Sequence, residues 1–68
     1  MAISFILNGE AHAAEEGQTV LGLLGELQLD ESRVAIELNR RILKKPFWGE
    51  TVIEPGAEVE IVQFVGGG

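Results

Sequence analysis

No cysteine occurs among the 68 residues. Disulfides, thiolate metal sites and cysteine nucleophiles are thereby excluded, and the chain cannot carry a persulfide of its own. An uncrosslinked domain of this size suits a reducing compartment, so the expected location is the cytoplasm. Histidine is scarce as well. His12 stands alone, without companion ligands for a metal, and is expected to lie exposed on a second strand. Positive charge is in short supply: five Lys and Arg face eleven Asp and Glu, a formal charge of −6. Binding nucleic acid requires clustered cations that neutralise phosphates, so nucleic acid is not an expected partner. No apolar run approaches the length that spans a bilayer, and the opening MAISFILNG turns polar too early for a signal peptide. No membrane association is expected. A chain this short buries only ~60% of the surface its unfolded form exposes, which leaves no room for an enclosed catalytic pocket.

What the sequence does contain is short-range pattern. Ile3, Phe5 and Leu7 alternate with Ser4, Ile6 and Asn8, the period of a strand. Asn8-Gly9 is the strongest short hairpin signal, because both residues accept the positive φ of a type I′ turn. Glu10 to Ala14 is then the returning strand, and Glu15 to Gln18 break the pattern. Thr19 is placed to cap a helix in which Val20, Leu23, Leu24 and Leu27 form one apolar stripe, ending near Leu29. Gly22 and Gly25 weaken that helix, so tertiary packing must hold it. Asp30-Glu31-Ser32 reads as a turn.

Val34, Ile36 and Leu38 alternate again up to Asn39, and Asn39-Arg40 is a second tight-turn candidate leading to a short strand, Arg41 to Leu43. Pro46 cannot donate to a ladder and stops it. Phe47 and Trp48 fall in irregular chain and are expected to cap one end of the core. Val52-Ile53 is a brief apolar return, Pro55-Gly56 a turn, and Glu58 to Val65 a last strand rich in β-branched residues. The first and last strands, being the most apolar, are expected side by side at the centre. Hairpin, helix, hairpin, loop and strand assemble into one α+β domain over residues 1–68: a mixed sheet of four or five strands with one helix across it, the β-grasp.

Two surface features bear on function. If Val59 and Ile61 face the helix, Val62 and Phe64 point to the opposite face, and so does Ile6. An apolar patch of Ile6, Val62 and Phe64 suits a surface that docks partners. The second feature is the stretch Gly66-Gly67-Gly68, expected to be a flexible tail. Without side chains it reaches roughly 10 Å when extended and can thread a narrow channel. Fraying is the ordinary reading of such a stretch. Its position directly after a strong strand argues for a carboxylate presented to other proteins. The basic residues Arg33, Arg40, Arg41, Lys44 and Lys45 fall within thirteen positions, and the last four read as a solvated hairpin. Gly17, Gly22 and Gly25 match no phosphate-binding loop.

The segments "AIELNRRIL", "PFW" and "EPGAEVEIVQFVGGG" together resemble the ThiS family, the ubiquitin-like sulfur carrier proteins of thiamin biosynthesis. The likeness covers the whole chain in length and element order and is most specific from Glu58 to Gly68. Pro55-Gly56-Ala57-Glu58 departs from the Gly-Asp often found there in the family. The resemblance implies a carrier, not an enzyme. Gly68 would be adenylated by a ThiF-type adenylyltransferase using ATP, and sulfur from a donor such as a cysteine desulfurase would convert it to a thiocarboxylate. Thiazole synthase (ThiG) would receive that sulfur. Gly66 and Gly67 would supply reach, and the chain itself would bind no cofactor. A carrier for molybdopterin or cysteine synthesis, a ubiquitin-like protein modifier and an inert interaction module are the alternatives.

Overall fold

The computed structural model describes residues 1–65. Strand β1 (Ala2–Leu7) turns through Asn8 and Gly9, whose φ angles of 49° and 83° are those of a type I′ hairpin, into β2 (Glu10–Glu15). A two-residue turn leaves no freedom of register: Leu7 faces Glu10, Phe5 faces His12 and Ile3 faces Ala14. His12 is therefore half-buried rather than exposed, its ring edge-on to Phe5 at 5.4 Å between centroids.

Helix α1 (Val20–Glu26) starts at Thr19, whose Oγ1 accepts from the Gly22 N–H at 3.0 Å. Val20, Leu23 and Leu24 are buried, and Leu27 packs at the margin of the core. The helix stops sooner than its apolar stripe suggests. Gln28 takes the left-handed conformation (φ 58°) that ends a helix, a position usually held by glycine. Asp30 then caps a single 3-10 turn (Glu31–Arg33) that feeds β3 (Val34–Leu38).

Asn39 and Arg40, at φ 52° and 70°, make the second tight turn, into β4 (Arg41–Ile42). β4 is shorter than the expected Arg41 to Leu43, although the Leu43 N–H still donates to Ile36 O at 2.8 Å. Lys45–Phe47 form a second 3-10 turn instead of irregular chain. Pro46 fits its first turn, where no amide donor is needed. Trp48 is buried and donates from Nε1 to Leu43 O at 2.8 Å, whereas Phe47 remains 53% exposed; only Trp48 joins the core. Val52 bridges to Thr19, and Ile53 is fully buried beside the helix start. The last strand, β5 (Glu58–Gln63), ends two residues before the expected Val65.

The five strands lie in the order β2-β1-β5-β3-β4. β5 runs parallel to β1 and antiparallel to β3, which makes the sheet mixed and puts the first and last strands side by side at its centre. One face meets α1. Phe5, Val20, Leu23, Leu24, Ile36, Ile53 and Val59 are almost wholly withdrawn from solvent there, and burying each such side chain contributes about 1.5–3 kcal/mol. The opposite face is open. Among the described residues no helix is long and apolar enough to cross a membrane, and no cluster of His, Asp and Glu could hold a metal ion.

Candidate docking face and the strand that leads to the tail

Alternation along β5 sorts its side chains between the two faces. Val59 and Ile61 are buried against the helix side, while Glu58, Glu60 and Val62 stand on the open face. Val62 and Phe64 are 53% and 57% exposed and sit one after the other toward the end of the strand. Ile6 shares the face and is half-buried, but it registers with Glu58. Four residues of strand, roughly 13 Å, separate that level from Val62. The three apolar residues therefore do not form one continuous patch. Val62 and Phe64 make one apolar element near the exit, and Ile6 makes another, with Glu60 between them.

The space beside Ile6 is a shallow concavity of about 320 Å³, lined also by Gly9, Glu37, Arg40, Glu58, Val59 and Glu60. Glu37 stands directly across from Glu60 on the neighbouring strand. Arg40 Nε lies 3.4 Å from Glu58 Oε1. The open face is therefore acidic as well as apolar. The basic residues are interleaved with acids: Arg33 Nε is 3.8 Å from Asp30 Oδ2, and Lys45 Nζ is 3.7 Å from Glu31 Oε1, all well exposed. Asp30 is held below the usual carboxylate range by hydrogen bonds from the Ser32 hydroxyl and N–H, aided by Arg33 and Lys45.

β5 is held from both sides by asparagines that the sequence presents only as turn residues. On the β3 side, Asn39 donates its N–H to Glu58 O at 2.7 Å, and its Oδ1 accepts from the Glu58 N–H at 2.9 Å. On the β1 side, the Ile6 and Asn8 N–H groups donate to Ala57 O and Val59 O, each at 2.8 Å. The Asn8 side chain then continues the ladder. Its Oδ1 accepts from the Ile61 N–H at 2.7 Å, and its Nδ2 donates to Ile61 O at 3.3 Å. The signal for this role lies in the pairing of two Asn-led turns on strands that flank the same third strand. Beyond Gln63, the Phe64 N–H donates to Arg33 O at 2.8 Å, and Val65 is 94% exposed. Gly66, Gly67 and Gly68 lie outside the described residues.

The model of the ThiS family matches residues 5–68. The chain belongs to the ThiS family of sulfur carrier proteins. It is similar to the sulfur carrier protein ThiS of Escherichia coli (strain K12), 26% identical over 97% of this chain and all of that one. The crystal structure of the thiamine biosynthesis protein ThiS from Geobacter metallireducens superposes with a TM-score of 0.82 at 29% identity. It covers 97% of this chain and the whole of that chain. The fold is accordingly the ubiquitin-like β-grasp of ThiS. Two further relatives are named thiazole synthase. That of Magnetococcus marinus is 40% identical over 91% of this chain, and that of Paramagnetospirillum magneticum is 38% identical over 97%. This ThiS-family chain spans about a fifth of the length of either relative (19% and 20%).

Proposed function

We propose that this chain carries sulfur as a thiocarboxylate on Gly68 and donates it to the thiazole ring in thiamin biosynthesis. The observation that supports this most directly is the central strand: β5, held from both sides, leads past the exposed Val62 and Phe64 to three glycines. A carboxylate oxygen is a poor leaving group, so the carboxyl must first be activated. Its oxygen attacks the α-phosphorus of ATP, pyrophosphate leaves, and the resulting acyl adenylate is open to a soft sulfur nucleophile. A persulfide sulfur then displaces AMP to give an acyl disulfide. An external thiol attacks the donor's sulfur of that S–S bond, forms a new disulfide with it and releases the terminal sulfur as the thiocarboxylate, in place of one oxygen. With no cysteine of its own, the chain takes that sulfur from outside.

The ATP chemistry belongs to a ThiF-type adenylyltransferase, and the sulfur donor is an enzyme such as a cysteine desulfurase. Thiazole synthase is the acceptor. The two relatives that bear that name each contain a stretch similar to this chain, as though carrier and synthase had been joined in one polypeptide. The role of Gly66 and Gly67 is to let the acyl group enter two different active sites without a Cβ in the way. Val62 and Phe64, near the end of β5, form the apolar contact by which both partners dock in the cytoplasm, and Ile6, beyond Glu60, is a separate contact on the same face. Intact-mass analysis after incubation with ATP, the adenylyltransferase and a sulfur donor tests the proposal. Exchange of one oxygen for sulfur is expected; covalent attachment to other proteins would assign the chain as a modifier, and no change would overturn the reading.

A further inference from the structure

We infer that Asn8 is a positioning residue for activation of the tail: its side chain sets the direction in which β5 leaves the sheet. The inference rests on the carrier reading above. β1 ends at Leu7, level with Val59, so β5 runs on past its parallel neighbour with nothing from the β1 backbone beside it. A strand held on one side only is free to bend away from its sheet. Here the missing neighbour is replaced by one carboxamide, which meets both hydrogen-bonding groups of Ile61. Among the described residues these are the last hydrogen bonds that β5 receives from the β1 side. On the other side the last is Phe64 N–H to Arg33 O. The chain from Val62 to Val65 thus takes its heading from the bonds at Ile61 and Phe64.

The left-handed backbone of Asn8 (φ 49°) serves the turn, and glycine would serve it equally well. What glycine cannot supply is the clamp. Asn39 provides an internal comparison: it too is left-handed in a tight turn and bonds β5 through Oδ1, but at Glu58, where the strand begins. If both asparagines matter only for stability, removing either should affect activation alike. If Asn8 directs the exit, the two will differ.

The experiment compares wild type with Asn8→Gly and Asn39→Gly, well below the melting temperature of each. ATP-dependent pyrophosphate release is followed with an enzyme that adenylates C-terminal glycines of carrier proteins. A misdirected reacting group costs rate steeply, so kcat/KM for Asn8→Gly is expected to fall roughly tenfold, while Asn39→Gly stays within about twofold. Amide exchange at Ile61 is expected to quicken about five- to tenfold in Asn8→Gly alone, the loss of one hydrogen bond. Equal losses in the two variants, or no loss in Asn8→Gly, would overturn the inference while leaving the carrier reading intact. Failure of wild type to be adenylated would overturn both. If Asn8→Gly does not fold, Asn8→Asp replaces it: the acceptor for the Ile61 N–H remains, the donor to Ile61 O is lost, and unreduced kcat/KM again counts against the inference.

Discussion

Glu37 and Glu60 face each other directly across β3 and β5 on the open side of the sheet. Like charges in that relationship oppose folding, and among the described residues neither carboxylate has a cation within ion-pair distance. Glu60→Thr is expected to raise stability by about 0.2–1 kcal/mol, with the gain shrinking as salt screens the pair. Urea unfolding at low and high ionic strength measures both effects. A loss of stability at low salt would show that the repulsion is unimportant.

The helix offers a second route to stabilisation, and its two glycines differ. A Cβ on Gly25 meets nothing within 4 Å, so Gly25→Ala is expected to add about 0.5–1 kcal/mol. On Gly22 the Cβ would stand 3.3 Å from Thr19 Oγ1, the atom that caps the helix, so the gain from Gly22→Ala should be smaller or absent. Thermal melts of the two variants side by side decide the matter; equal gains would mean that the cap yields freely.

Asp30 sets a pH dependence. Its pKa in the folded chain lies below the ordinary value of 3.8, so the stability it confers is present above that value. It is lost as pH falls through the lower, folded value. Asp30→Asn keeps an acceptor for Ser32 but cannot titrate. Acidification below pH 3.8 should therefore cost the wild type more stability than the variant. Parallel acid-unfolding curves would show that the ionised form is not the one the turn selects.

Phe64→Asp probes the proposed docking contact. The side chain is 57% exposed and beyond the last residue of β5, so the fold should persist. A carboxylate placed there would have to be desolvated in an apolar interface, and affinity for both proposed partners, the adenylyltransferase and thiazole synthase, is expected to fall about tenfold or more. Calorimetry on the two complexes provides the check, and unchanged affinity in both would remove Phe64 from the interface.

Which of these features could be read from the sequence depends on how far apart the deciding residues lie. The first hairpin was legible because Asn8-Gly9 settles both turn and register locally; the contact of His12 with Phe5 follows from that register. The helix start was legible in Thr19 and the apolar stripe, but not its end, where Gln28 adopts a conformation its type does not announce. Phe47 and Trp48 could not be told apart, since a 3-10 turn decides which of them points inward. The open face carrying Ile6, Val62 and Phe64 was readable from alternation alone. Its division by Glu60 was not, because that required the offset between β1 and β5. The Asn8 clamp joins residues 53 positions apart, beyond any local pattern.

The parallel pairing of β1 with β5 has a practical corollary for anyone handling the chain. Because both strands point the same way, Met1 is stationed at the pole of the sheet opposite the one from which Val65 departs. Cargo attached ahead of Met1 would therefore lie at the far pole from Val62 and Phe64 and leave that exposed pair uncovered.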